Sequence, residues 1–125
     1  MRKQWTQGKL NSVVKGALRS SSRFYPPKLD ALDEASAGVH LNRFTGRMAK
    51  HRKCAICGEI FPDKMIQVDH TIPVIDPLTG FTSWDDVVAR LFCSKENFKV
   101  LCKPCHKIKT GLEKDQAKER KANAK

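Results

Sequence analysis

Two Cys-x-x-Cys pairs, Cys54/Cys57 and Cys102/Cys105, restrict this chain more than any other feature. Two residues between thiolates let a tight turn aim both sulfurs at one ion, so four thiols in two such pairs suit a single tetrahedral zinc. The intervening chain must then return and set residues 102–105 beside 54–57. A chain of 125 residues has room for one domain with appendages and a modest core, where a metal staple is a useful source of stability. Cys93 is left over and reads as a small buried apolar residue. Four cysteines of five in paired spacing fit thiolate ligands in a reducing compartment better than a disulfide framework. No stretch approaches the roughly 18 consecutive apolar residues of a membrane span, and no signal-peptide segment opens the chain, so a soluble, cytoplasmic protein is expected.

The formal charge is +11 and unevenly placed. Residues 1–53 hold twelve cations against three anions, residues 54–111 seven of each, and residues 112–125 five against three. Basic ends around a neutral centre suggest that the ends hold a polyanion while the centre acts on it.

From Lys9 the apolar positions Leu10, Val13, Val14, Ala17 and Leu18 predict an amphipathic helix with Lys15 and Arg19 on its wet side. Trp5 is a candidate anchor ahead of it. Phe24-Tyr25-Pro26-Pro27 predicts an extended link, followed by a short helix over Lys28–Ala37 with Gly38 as its C-terminal cap. Residues 39–53 combine Arg43, Arg47, Lys50, Arg52 and Lys53 with Phe44 and read as a phosphate-binding arm. His40 and His51 read as surface or packing residues.

Cys54-Ala-Ile-Cys57-Gly58 has the form of a zinc knuckle, and Met65–His70 of a strand ended by Pro73 and a loop through Gly80. Ser83-Trp84-Asp85-Asp86 opens a helix whose buried side is Trp84, Val87, Val88, Leu91 and Phe92. After Asn97 a second strand, Phe98–Leu101, delivers Cys102, and a final helix starting at Cys105 and His106 runs to about Ala122 with an exposed tail.

Beside the cysteines stand Asp69, His70, Asn97 and His106. Neighbouring residues of a regular strand face opposite ways, so Asp69 and His70 share a site only where the strand bends. One carboxylate and one imidazole form a sparse ligand set that leaves a divalent cation open to water and phosphate oxygens, and a second imidazole can deprotonate water near neutral pH. Metal-assisted hydrolysis of a phosphodiester follows from these parts.

The order Cys-x-x-Cys, Asp-His, Asn-x-x-x-x-Cys-x-x-Cys-His, Lys-x-Lys-Thr over residues 54–110 resembles the HNH endonucleases in their zinc-bound form. The surrounding segments, such as Asn42–Arg47 and Gly80–Trp84, are similar to small phage-encoded members. The resemblance implies an α+β fold: a small ββα-metal core stapled by a four-cysteine structural zinc, with N-terminal helices and a C-terminal helix. Residues 1–53 would be a basic N-terminal helical arm, 54–111 the nuclease core and 112–125 a basic C-terminal helical tail. It further implies His70 as general base, Asp69 and His106 as ligands of catalytic Mg²⁺ or Mn²⁺, and Asn97 either as a prop for the base or as a metal ligand, of which the prop is favoured. Cleavage would leave 5′-phosphate and 3′-hydroxyl ends on DNA, with Lys107 and Lys109 as phosphate contacts. The departure from the commonest pattern is the 26 residues, including a helix, between His70 and Asn97. The alternative is a zinc-stabilised nucleic-acid-binding module without catalysis. A Cys-x-x-Cys redox protein is disfavoured, since the two pairs compete as metal ligands and no thioredoxin-like pattern surrounds them.

Overall fold

Regular structure begins at Thr6, whose hydroxyl accepts a hydrogen bond from the Lys9 N–H at 3.1 Å and caps helix α1 (Gln7–Ser21). The computed structural model describes residues 1–124; Lys125, the last residue of the expected tail, lies outside the described residues. The apolar stripe of α1 is only half used. Leu10, Val13 and Ala17 are exposed, and the packed row is Asn11, Val14, Lys15 and Leu18, which brings Lys15 partly inward. Leu18 reaches the interior. Trp5 is not an anchor: it is exposed, with the Lys9 ammonium over its ring.

A 3-10 turn (Ser22–Phe24) leads to Tyr25, and Pro26 and Pro27 open helix α2 (Pro26–Glu34) instead of an extended link. Prolines are tolerated there because the first N–H groups of a helix lack partners in any case. Tyr25 fastens this corner, donating its hydroxyl to the Phe92 carbonyl at 3.2 Å and meeting the Phe92 ring edge-on at 5.2 Å.

The chain after α2 is extended, which ends that helix short of Ala37. Strands β1 (Ser36–Asn42), β2 (Arg47–Lys53) and β3 (Ile60–Pro62) form an antiparallel sheet in that order. Residues 36–53 are therefore a β-hairpin and not part of a helical arm. Gly38 is not a helix cap; it lies in β1, where the register shifts between Ser36 and Val39.

Strand β4 (Ile66–His70) follows, then helix α3 (Trp84–Leu91), strand β5 (Phe98–Cys102) and helix α4 (Lys103–Asn123). The Ser83 hydroxyl accepts from the Asp86 N–H at 3.1 Å, as the sequence predicts for α3. β4 and β5 pair antiparallel with Ile66 opposite Cys102 and His70 opposite Phe98. α4 starts at Lys103, two residues before the expected Cys105, with Pro104 in its first turn. The fold is α+β, with four α-helices and two small antiparallel sheets among the described residues.

Burial is concentrated in two clusters. Cys54, Leu101 and Cys102 are enclosed by Phe61, Ile66 and Cys105, while Val74, Val87 and Leu91 are enclosed by Leu18, Ile75, Trp84 and Phe92. The long segment between β4 and β5 thus supplies most of the second cluster. No helix among the described residues is long and apolar enough to cross a membrane.

Candidate metal centre and the polar cluster beside it

The first cysteine pair is shaped by backbone hydrogen bonds. Cys54 N donates to the Glu59 carbonyl at 2.9 Å and Gly58 N to the Cys54 carbonyl at 3.0 Å, a tight return completed by Gly58 at φ +75°. Ala55 N donates to the Val100 carbonyl at 2.8 Å and ties this knuckle to β5, which ends in Cys102. One turn into α4, Cys105 completes the set. The four sulfurs lie within 4.8 Å of one another, and Cys57 and Cys102 are 4.0 Å apart. Tetrahedral zinc–thiolate bonds of about 2.3 Å require sulfurs about 3.8 Å apart, so these residues can hold a metal ion of that geometry.

The electrostatics agree with that fit. Burial raises the pKa of the Cys54 thiol, but hydrogen bonds with the backbone of Cys102, Cys57 and Ile56 outweigh it and bring the value down to about 6. Cys105 is pushed up to about 12, first by its hydrogen bond with Cys102, then by burial and by Cys54 and Cys57. A cluster that gives up one proton readily and withholds another is short of positive charge at its centre. A cation held by these four sulfurs would supply it and displace the remaining protons. None of the five cysteines is in a disulfide.

Asp69 and His70 end β4, and the strand stays paired through His70, so the anticipated bend is absent and the two side chains leave opposite faces. Asp69 turns toward α4. Its Oδ1 accepts from the His70 N–H at 2.9 Å and its Oδ2 lies 2.7 Å from the Lys109 ammonium. Lys109 also donates to the His70 carbonyl at 3.2 Å and pairs with Glu113 at 2.6 Å. This corrects the expectation of Lys109 as a phosphate contact, since its charge is shared between two carboxylates. Lys107 is exposed.

His70 turns the other way. Its Nε2 lies 3.0 Å from the Leu91 carbonyl oxygen, and its ring rests against Phe98 with centroids 4.9 Å apart. A carbonyl only accepts, so Nε2 carries the proton and Nδ1 is left as the basic nitrogen. Burial is the main cause of a lowered pKa for His70; the Leu91 carbonyl and Asp69 oppose it, and the positive charges of Arg19 and Lys28 reinforce it.

Asn97 acts through its main chain. Its carbonyl accepts from the Thr71 N–H at 2.7 Å, fixing the residue after His70, while its side-chain amide donates to Ser94 Oγ at 3.1 Å. His106 is partly buried and stands three residues before Lys109, on the same side of α4 as the lysine that pairs with Asp69. Asp69, His70 and His106 do not close into a three-donor cluster; among the described residues the four cysteines form the group that does.

Comparison with known family models, curated proteins and solved structures finds no match.

Of the basic residues expected to meet phosphate, Arg43, Arg47, Lys50 and Lys53 are exposed. Arg52 is not: it is 6 % exposed, its Nε donates to Asp63 Oδ1 at 2.7 Å, and its Nη1 donates to the Leu32 carbonyl and lies 3.8 Å from Asp33. It joins α2, β2 and the turn before β4 and is unavailable to a ligand. Reading the sequence also missed Glu113, Arg19, Lys28 and the Leu91 carbonyl. The Lys109/Glu113 spacing of four on a helix was a usable signal; nothing local announces the other three.

Proposed function

We propose that this chain is a metal-dependent DNA endonuclease of the HNH kind, in which a four-cysteine zinc holds β4, β5 and α4 as a ββα unit. The observation that carries the reading is the Leu91 carbonyl on Nε2 of His70. It fixes the tautomer whose Nδ1 can take a proton from water, and burial keeps that nitrogen unprotonated near neutral pH.

The residues offered for the divalent cation fit a hard ion in kind. Asp69 presents carboxylate oxygen where a positive charge already rests, that of Lys109 at 2.7 Å, and His106 lies on the same side of α4 as that lysine. Asp69 and His106 would hold such an ion; because Asp69 and His70 leave opposite faces of β4, the substrate phosphate would have to lie across the end of that strand to meet both, and Mg²⁺ or Mn²⁺ would there supply stabilisation of the departing 3′ oxygen. The chain's own part is then threefold. His70 receives the proton of the attacking water at Nδ1, Asn97 holds the backbone after it, and the cations of Arg19 and Lys28, close enough to depress the His70 pKa, favour a phosphate beside it.

The second reading is a zinc-stabilised nucleic-acid-binding module without catalysis, favoured by the full engagement of Asp69 with Lys109. Incubating supercoiled plasmid with purified protein and Mg²⁺ or Mn²⁺ separates the two. Nicking that disappears in His70→Ala supports the nuclease, and tight DNA binding with no nicking under either ion supports the module.

A further inference from the structure

We propose that the β1–β2 ribbon enters the major groove of duplex DNA, with Arg43 and Arg47 on the flanking phosphates and Phe44 against base edges. This rests on the reading that the chain acts on DNA, and not on the chemistry assigned to His70.

The end of the ribbon is built rigidly. Asn42, 6 % exposed, accepts from Phe44 N at its Oδ1 (2.9 Å) and from Gly46 N at its carbonyl (2.8 Å), and Arg47 N donates to Thr45 Oγ1 at 3.3 Å. Gly46 closes the turn at φ +74°, a conformation that strains other residues. A turn with this many internal bonds loses little freedom on binding. Yet its apex carries Phe44, 77 % exposed. A fixed turn has no folding need for an aromatic ring in water, so the ring is placed for a partner.

The ribbon behind the apex has the same character. Cross-strand partners share a face, and the register pairs Val39 with Lys50 and Leu41 with Met48, so these four side chains form one surface, all of it exposed. β1 is the outer strand of its sheet. Residues 39–50 contain Arg43, Arg47 and Lys50 and no acidic residue.

Those charges choose between occupants. A second copy of the chain laid against this ribbon would bring like charges together, which opposes association. Duplex DNA offers phosphates to the cations and, in the major groove, thymine methyls to the apolar side chains. A two-stranded ribbon fits a groove about 12 Å wide and not one of about 6 Å.

The test is a salt titration of binding to a short labelled DNA duplex without divalent cation, with zinc content and melting checked on every variant. Arg43→Ala with Arg47→Ala should flatten the slope of log affinity against log salt by about 1.8, at about 0.9 per lost phosphate contact. Phe44→Ala should weaken binding several-fold at an unchanged slope. Methyl green, which occupies the major groove, should displace the protein, and netropsin, which occupies the minor groove, should not. Wild-type binding by these variants, or displacement by netropsin alone, overturns the inference. So does a Leu41→Thr, Met48→Thr protein that changes sedimentation but not DNA affinity, which would assign the face to a second copy. Ribbon variants that bind normally while plasmid is still nicked defeat this inference alone; a wild type that binds through the ribbon and never nicks defeats the nuclease alone.

Discussion

Nε2 of His70 sits 3.0 Å from the carbonyl oxygen of Leu91, the last residue of α3, so the imidazole's tautomer is set by a helix from another part of the chain. Burial, the largest influence on this ring, lowers its pKa below the ordinary value of 6.5. A base with a lowered pKa is already neutral at pH 6.5, so the acid limb of kcat/KM for DNA cleavage should lie below that pH and flatten above it. A limb centred above 6.5 would mean that His70 is not the base. The same shift has a stability consequence. As pH falls through 6.5 toward the lower folded value, the unfolded chain takes up a proton that the folded chain resists, so stability should decrease over that range, and less so in His70→Asn.

Proton transfer and cation binding should separate by mutation. His70→Ala should still bind Mn²⁺ and DNA yet cut about 10²- to 10⁴-fold more slowly, the usual loss for a positioned general base. Asp69→Ala and His106→Ala should weaken Mn²⁺ while retaining zinc, with cutting partly restored at higher Mn²⁺. Lys109→Met should do the reverse and tighten Mn²⁺, because the ammonium 2.7 Å from Asp69 competes for the same carboxylate. Calorimetric Mn²⁺ titration of the four proteins decides. Loss of Mn²⁺ binding in His70→Ala would exchange the assigned roles, and unchanged affinity in Lys109→Met would remove the competition.

Cys54→Ser and Cys105→Ser should each lose zinc and the cooperative melt together, since the cysteines form one of the two buried apolar clusters among the described residues. Chelation of the wild type should reproduce the effect. A zinc-free variant with a wild-type melting curve would show that the cluster is dispensable.

Arg52→Met should destabilise the fold by about 2 kcal/mol, the scale for losing hydrogen bonds to a charged group, and leave the salt dependence of DNA binding unchanged. Urea unfolding and DNA titration on the same sample check both halves. A flatter salt slope would return Arg52 to the set of phosphate contacts.

What the sequence made legible was what repeats locally. The knuckle, β4, β5 and the capped start of α3 follow from cysteine spacing, β-rich runs and a serine three residues before an aspartate. The β1–β2 hairpin was hidden because both of its faces are largely exposed, so Val39-His40-Leu41-Asn42 and Arg47-Met48-Ala49-Lys50 lack the contrast by which a strand is usually noticed. Arg52 was misjudged for a different reason: its partners Asp33 and Asp63 come from distant parts of the chain, and no local pattern distinguishes a cross-linking arginine from a phosphate-binding one. The face chosen by α1 was likewise decided elsewhere, by where Leu18 meets the cluster under α3. In the candidate site the residue types were readable and their directions were not. The opposite departure of Asp69 and His70 depends on β4 remaining paired to its end.

The cysteine pairs clasp the chain at residues 54–57 and 102–105, and everything between, including the segment that supplies the Leu91 carbonyl, is one closed loop. A disulfide would make such a loop permanent; thiolates on a metal would make it conditional. With an ion held there, the lifetime of the protein would be tied to the supply of the metal, because a chain that lost it would open this loop to proteases. Withdrawing the ion would then remove the protein itself by degradation.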